Sequence, residues 1–300
     1  IMSLHITLRQ LEIFCAIYTT GSALAAGDQL GLSQSAVSNG LKQLETQLDV
    51  LLFERVGKRL IHNEQGREFY GYALTVLEQT SELEQLFTSE RGNVHIAASS
   101  TIGNYLLPPI LAQLKTTYPN IHIKLTVANS HEIIEKIANF ECDLGFIEGR
   151  SQHPNIKVQI WQRDELIWFC AKDTQWLADA LQPQSLKELI TKPLIMREKG
   201  SGSRELLERA LNKHGLALLQ VDEIMELGNS EAIKQAVRYD LGIGCLSRHV
   251  LNDFFKLDYI QPIRLNEPVI ERPLLMIEHR LKGEHRLLNL IKKFLEPVHD

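Results

Sequence analysis

The sequence predicts an α+β multidomain protein: a small N-terminal winged helix-turn-helix, one long connecting helix, and a larger two-lobed α/β unit. Three observations carry that prediction. Residues 22–48, SALAAGDQLGLSQSAVSNGLKQLETQL, read as two short helices separated by a glycine turn. Residues 64–89 repeat apolar side chains at alternating spacings of four and three. From residue 94 onward strands alternate with helices, and part of that pattern recurs further along the chain.

Length and composition set the bounds. A chain of 300 residues exceeds the usual single domain, so a small domain plus a larger one, or three lobes, is expected. The formal net charge of -5 supplies no general basic surface, and any contact with nucleic acid must rest on local cations. No apolar run is long enough to span a membrane. IMSLHITLRQ lacks the basic segment and apolar core of a secretory signal; Met2 is expected as the natural start, with Ile1 an addition, and the protein as cytoplasmic. Cys15, Cys142, Cys170 and Cys245 lie far apart inside apolar runs and read as free buried thiols in a reducing compartment, with no metal site.

In order, Thr7 can cap a first helix whose Leu8, Leu11, Phe14, Ile17 and Tyr18 keep helical period up to Gly21. Ser22 can cap the second helix, Gly31 permits a sharp turn, and Ser33 can accept from the amides that open the third. Leu24, Leu30, Leu32, Val37, Leu41, Leu44 and Leu48 then form a buried stripe. Gln34, Ser35, Ser38, Asn39 and Lys42 remain for the opposite side, where Asn suits adenine and Ser suits either base edge in a major groove. The same spacing also fits a helical hairpin with a solvated polar face. ERVGKRL, residues 54–60, gathers Arg55, Lys58 and Arg59 around Gly57, as a wing on phosphate would, or as a solvated hairpin tip would. Asn63 caps the long helix, whose Phe69, Ala73, Val76, Thr80, Leu83 and Phe87 form a seam suited to pairing with a second copy or to packing on its own domain. Pairing is the preferred reading, since a twofold protein matches a near-palindromic site.

Arg91, Gly92 and Asn93 should break that helix. Strands are expected at 94–98, 122–128 and 143–149, with helices over 103–119 and 131–140, which argues for a parallel sheet. NSHEIIEKIANFECDLG from Asn129 resembles NSEAIKQAVRYDLG from Asn229, so two lobes of one plan are expected. The second lobe contributes a strand at 193–198, a loop GSGS at 200–203, a helix, and a strand at 221–227. Residues 156–172 are extended and apolar enough to cross between sheets; residues 272–280 form the return strand, and a last helix at 284–296 packs on the first lobe.

Ligands in open α/β sheets lie beyond the carboxyl ends of the strands. The residues there are Ser99, Ser100, Thr101, Asn129 and Ser130 in one lobe and Gly200, Ser201, Gly202, Ser203, Asn229 and Ser230 in the other. Hydroxyls and free amides at several helix N-termini suit a small anion, with Arg197 and Arg204 adding charge; the same residues also serve as ordinary helix caps. Glu148 faces the same cleft and would repel an anion unless protonated or paired. Catalysis finds little support: GSGS is no nucleophile elbow, no phosphate-loop lysine follows a glycine run, and His131-Glu132 has Glu135 where a zinc-binding histidine is needed. GIGCLS, 242–247, offers part of a dinucleotide fingerprint but lies within a strand.

LRQLEIF (8–14), LSQSAVSNGLKQLE (32–45) and LFERVGKRL (52–60) resemble the LysR-type transcriptional regulators, and the likeness runs the length of the chain. The resemblance implies a winged helix-turn-helix over 1–62, a dimerising linker helix over 63–91, and a periplasmic-binding-protein-like effector domain over 92–300. Its lobe I would hold 92–162 and 268–300, and its lobe II 163–267. It further implies double-stranded operator DNA, a second copy within a dimer of dimers, a small effector and RNA polymerase as partners, with no cofactor. ASSTIGNYLLP (98–108), FIEG (146–149), REKGSGSRE (197–205) and ELGNSEAIKQAVR (226–238) resemble the YeiE/CysL-like subgroup tied to sulfur metabolism, which makes sulfite or sulfate the expected effector. Ser35 stands where the family commonly has Pro, Asn39 where it has Arg, and Gly27 where it has Ala, while Gly40 lies inside the recognition helix. Effector binding would change the angle between lobes and the spacing of the DNA-binding heads. The rival readings are a solute receptor and a small-anion enzyme using the same cleft.

Overall fold

The computed structural model describes residues 5–57, 59–84, 92–180, 182–221, 223–283 and 286–295. They fall into two compact units, residues 1–90 with 281–290, and residues 91–280 with 291–300.

The first unit is built from α1 (Leu8–Thr20), α2 (Ala23–Leu30), α3 (Gln34–Leu48), the hairpin β1 (Phe53–Val56) and β2 (Arg59–His62), and α4 (Glu64–Glu84). Each helix begins where a hydroxyl or amide side chain takes up an orphan backbone N–H. Thr7 and Gln10 form a reciprocal capping box on α1, Ser22 accepts from Ala25 N, Ser33 from Ala36 N, and Asn63 Oδ1 from Gly66 N at 2.8 Å. Gly21 and Gly31 end the first two helices at φ 67° and 66°, a left-handed conformation that favours glycine. Phe14, fully buried, holds the unit together: its ring lies 5.4 Å from Phe53 of the hairpin and 5.0 Å from Phe69 of α4.

Two leucines of the expected stripes are exposed, Leu8 at 44% and Leu24 at 58%. A Cβ on Gly27 would lie 2.6 Å from the carbonyl oxygen of Leu32 in the following turn, so α2 buries Ala26 and Gly27 rather than Leu24; α3 buries Val37, Leu41 and Leu44 as expected, and a Cβ on Gly40 would lie 2.6 Å from Ile13 Cδ1. Gly40 therefore reflects packing rather than poor helix design. Of the α4 seam, Ala73 is buried and Phe69 half-buried within this unit, Val76 and Leu83 are exposed, and Phe87 lies outside the described residues.

The second unit begins with β3 (Gly92–Ser99), so Gly92 and Asn93 extend a strand rather than merely break a helix. A π-helical turn (Ile102–Leu106) leads into α5 (Leu107–Thr117), followed by β4 (Ile121–Ala128), α6 (Ser130–Ala138), β5 (Leu144–Glu148) and the long β6 (Ile156–Ala171). Then come α7 (Leu186–Leu189), β7 (Leu194–Arg197), α8 (Gly202–Lys213), β8 (Ile224–Leu227), α9 (Ser230–Arg238), β9 (Ile243–Ser247) and α10 (Arg248–Lys256). β10 (Ile260–Pro262), β11 (Ile270–His279) and α11 (Arg286–Leu295) complete the chain. The sheet order is β4-β3-β5-β11-β6-β9-β7-β8. β3 runs parallel to β4 and β5, and β7 parallel to β8 and β9, giving the two lobes. β6 and β11 cross between them as one antiparallel ladder, β11 pairing with β5 and β6 with β9. The repeat is visible in both lobes: Asn129 and Asn229 cap α6 and α9, and Phe140 and Asp240 follow at matching positions with φ 59° and 58°. GSGS is only partly a loop, since Gly202 and Ser203 open α8.

The thiols are free: Cys142, Cys170 and Cys245 are buried and Cys15 is half-buried. Burial pushes Cys15 and Cys170 up to about 12, Cys142 to about 11, and Cys245 upward as well, so none is a ready thiolate. The end of α11 packs on the first lobe, where Trp161 Nε1 donates to Leu295 O at 2.5 Å. Glu278 of β11 pairs there with Lys157 at 3.1 Å and with Lys292. Burial raises the Glu278 pKa, but those two ammonium groups outweigh it and leave the carboxyl below its ordinary range. A depressed folded pKa gives stability that is present above the unfolded value and lost as pH falls through the folded one. Glu278→Gln is expected to lower Tm at pH 7 and to converge with the parent protein as pH falls below about 4, as read by thermal melts across pH; parallel melting curves at all pH values would contradict the pairing.

Candidate functional site

In the second unit the strand ends bring serines, threonines and two arginines together between the lobes. Arg197, at the end of β7 and 5% exposed, donates from Nη1 to Ser100 Oγ at 2.7 Å across the lobes and to Ser230 Oγ at 3.3 Å. Its Nε and Nη2 engage Glu198 at 2.7 and 2.9 Å. Ser201 precedes α8 as its N-cap residue, yet its hydroxyl caps nothing. Ser201 Oγ and Ser99 Oγ are buried without a protein partner, as is Glu148 Oε1. A buried polar group left unpaired costs about 1–3 kcal/mol, so these three atoms are unspent hydrogen-bonding capacity on both sides of one cleft.

Sequence reasoning missed the residue at the centre. Arg272 of β11 has a fully buried side chain. Its Nε donates to Asp164 Oδ2 at 2.7 Å, Nη1 to Ser203 Oγ at 2.8 Å, and Nη2 to Thr101 Oγ1 at 3.2 Å, while Glu148 Oε2 lies 3.6 Å from Nη1. Asp164 of β6 also accepts from Ser247 Oγ at 2.9 Å, and His249 Nε2 lies 3.8 Å from its Oδ1. One guanidinium thus ties both crossing strands to hydroxyls from both lobes, and it pairs the Glu148 carboxylate that would otherwise repel an anion. The sequence offered little signal, because β6 also carries Lys157, Arg163 and Glu165, and β11 also carries Glu271 and Glu278. Gly202 shows how closely the lobes approach: a Cβ there would lie 2.6 Å from Glu148 O.

The other expected cleft residues divide by what they bond. Asn129 and Asn229 use Oδ1 on the amides of Glu132 and Ala232 at 2.9 and 2.7 Å, as plain caps. Ser130 is buried with its hydroxyl 3.4 Å from Glu148 N. Arg204 turns away to Arg197 O at 3.0 Å, Glu208 at 2.8 Å and Glu226, so it buttresses the arginine beside it. Gly200 holds φ 88° in the loop before α8.

In the first unit Gln34, Ser35, Ser38, Asn39 and Lys42 are placed along α3, where Gln34, Ser35, Asn39 and Lys42 are exposed and Ser38 is half-buried. Gln34, Ser38, Arg55 and Arg59 line a concavity of about 400 Å³ together with Ser22 and Leu24. Gly57 turns the hairpin at φ 62°; Lys58 lies outside the described residues. Among the described residues no group of His, Cys, Asp and Glu could hold a metal ion, and no helix is long and apolar enough to cross a membrane.

A winged helix-turn-helix carried with a two-lobed α/β domain, whose cleft gathers hydroxyls and arginines, defines a DNA-binding regulator that responds to a ligand. Residues 8–67 match the bacterial regulatory helix-turn-helix protein, lysR family, and residues 88–298 match the LysR substrate binding domain. The chain belongs to the LysR family of transcriptional regulators, is not an enzyme, and carries an effector-binding domain. It is 45% identical over 293 residues to the HTH-type transcriptional regulator YeiE of Escherichia coli K12, covering 98% of this chain and 97% of that one. With the regulator CysL of Bacillus subtilis it shares 28% over 275 residues, 90% of each chain. A full-length OxyR variant from Pseudomonas aeruginosa has the same fold, with a TM-score of 0.73 at 21% identity over 98% of this chain and 94% of that one. The regulatory domain of CcmR from Synechocystis PCC6803, in complex with 2-PG, aligns with a TM-score of 0.62 at 25% identity over 68% of this chain and 96% of that one.

Arg272→Met should destabilise the effector-binding domain by about 3–5 kcal/mol in urea titrations, because Asp164 and Glu148 would remain buried without their cation. Adding Asp164→Asn should recover part of the loss, a coupling that two independent residues would not show.

Proposed function

We propose that this regulator senses a small oxyanion, sulfite or sulfate, held between the two lobes, and adjusts its DNA binding to the sulfur supply. The carrying observation is the pair of buried, unpartnered hydroxyls of Ser99 in one lobe and Ser201 in the other, with the buried Arg197 guanidinium joining the lobes through Ser100. Ser99, Ser100, Ser201 and Ser230 would donate to the anion's oxygens, and Arg197 would supply the charge. Thr101 and Ser203 would act through Arg272, which binds both hydroxyls, and Asn129, Asn229 and Arg204 would shape the walls. The sulfur reading rests on the resemblance of residues 98–108, 146–149, 197–205 and 226–238 to the YeiE/CysL-like subgroup, and the complex of the CcmR domain with 2-PG supports a small-molecule effector. An anion that binds the closed lobes better than the open ones shifts that equilibrium by its differential affinity and no more.

On the DNA side, Gln34, Ser35, Ser38, Asn39 and Lys42 face the major groove, and Arg55, Lys58 and Arg59 lie on phosphate. Exposed Val76 and Leu83 on α4 support pairing of two copies, with a dimer of dimers as the working assembly and the cytoplasm as the place of action.

The deciding experiment is a thermal-shift screen of the full-length protein against sulfite, sulfate, thiosulfate, phosphate and simple carboxylates, since a ligand specific to the folded state raises stability by RT ln(1 + [L]/Kd). Sulfite or sulfate should raise Tm selectively, and Ser201→Ala should remove the shift; no shift with any oxyanion would sink the effector assignment and leave the family intact. On DNA, Arg55→Ala should weaken binding to all sequences and reduce the salt slope by about 1, whereas Asn39→Ala should relax base preference by about 1–3 kcal/mol at one position. Gel-shift titrations at several salt concentrations on matched and mutated operators would separate the two, and equal loss of specificity from both variants would contradict these roles.

A further inference from the structure

A concavity of about 740 Å³ in the effector-binding domain is lined by none of the cleft hydroxyls. Its size falls in the range of small-molecule pockets, about 300–1,000 Å³. Leu206 and Ala210 of α8, Leu265 and Val269 of the connection from β10 to β11, and Ile270 of β11 give it an apolar lining. Val269 is 52% exposed. Two cations border this lining: Arg150, from the loop after β5 in one lobe, and Lys213, at the end of α8 in the other. Neither forms an ion pair with any described residue, whereas Arg209 and Glu271, also at the rim, are engaged with Glu205 at 3.7 Å and Arg163 at 3.8 Å.

We propose that this groove is a second ligand site, for a small organic anion with an apolar body. The anionic group would sit between Arg150 and Lys213, and the body on Leu206, Ala210 and Val269. Because the two cations come from different lobes, a ligand bound here ties the lobes together from outside the cleft. Both sites share α8: Ser201 and Ser203 at its start belong to the cleft, and Ala210 and Lys213 near its end to the groove. The sites should therefore be linked, each ligand changing the affinity of the other by the same factor.

The test uses full-length protein and 8-anilinonaphthalene-1-sulfonate, a probe that joins a sulfonate to an apolar body. A fluorescence titration should give one site per chain. Arg150→Glu and Lys213→Glu should each weaken the probe at least tenfold, and Ala210→Trp should remove binding by filling the groove, with circular dichroism confirming that all three variants are folded. Ser201→Ala should leave the probe affinity unchanged. Binding within twofold of the parent protein in both charge-reversal variants, or retained binding in Ala210→Trp, would overturn the site. An absent sulfite response with an intact, charge-sensitive probe titration would remove the cleft reading alone, so the two proposals fail separately.

Discussion

The effector-binding domain depends on one buried ion pair, Arg272 with Asp164. Both side chains are essentially without solvent exposure, and each sits on one of the two strands shared by the lobes. Removing two charges from water costs several kcal/mol per ion, which the pair offsets only if the remaining donors and acceptors are also satisfied. Here they are: three guanidinium nitrogens meet Asp164, Ser203 and Thr101, and the second Asp164 oxygen meets Ser247. The polar network is the point at which a strand pair, two helix starts and two lobes have a single geometry. An apolar pair at these positions would pack without specifying which hydroxyl of which lobe belongs where.

This constraint explains the character of the cleft. Thr101 and Ser203 are committed to Arg272, Ser100 and Ser230 to Arg197, and Asn129 and Asn229 to the amides they cap. Ser99 and Ser201 are left, each 1% exposed, on opposite sides of the lobe boundary. The bare hydroxyl of Ser201 matters most, because a serine at an N-cap normally satisfies the next turn's amides and here does not. Its helix start therefore keeps its amides and its hydroxyl for something other than itself.

Much of the architecture was legible because it is local. Caps at Thr7, Ser22, Ser33, Asn63, Asn129 and Asn229, the left-handed glycines, and the recurrence of Asn-Ser followed by Asp-Leu-Gly each depend on a few neighbouring residues. The rest depends on how the chain closes on itself. Leu24 fits the helical period of a buried stripe, but Gly27 takes the buried place on α2, where the turn brings the Leu32 carbonyl against it. Gly40 costs helix propensity, and it is Ile13 of α1, packed against it from a distant stretch, that requires it. Arg272 and Asp164 are separated by more than a hundred residues in sequence, and their pairing follows only from the register of β6 against β11, Arg272 opposite Asp164.

That register also fixes what a ligand can change. The ladder is continuous across both lobes, so relative motion has to come from twisting two strands, and the register shift between Leu274 and Leu275 lies on that path, beside the pairing of Leu274 with Glu148. Arg197 joins Ser100 across the lobe boundary, and a ligand held there, as proposed, would shift the lobes only by its differential affinity for two arrangements. The ion pair of Arg272 with Asp164 could be kept in both while the outer contacts distinguish them.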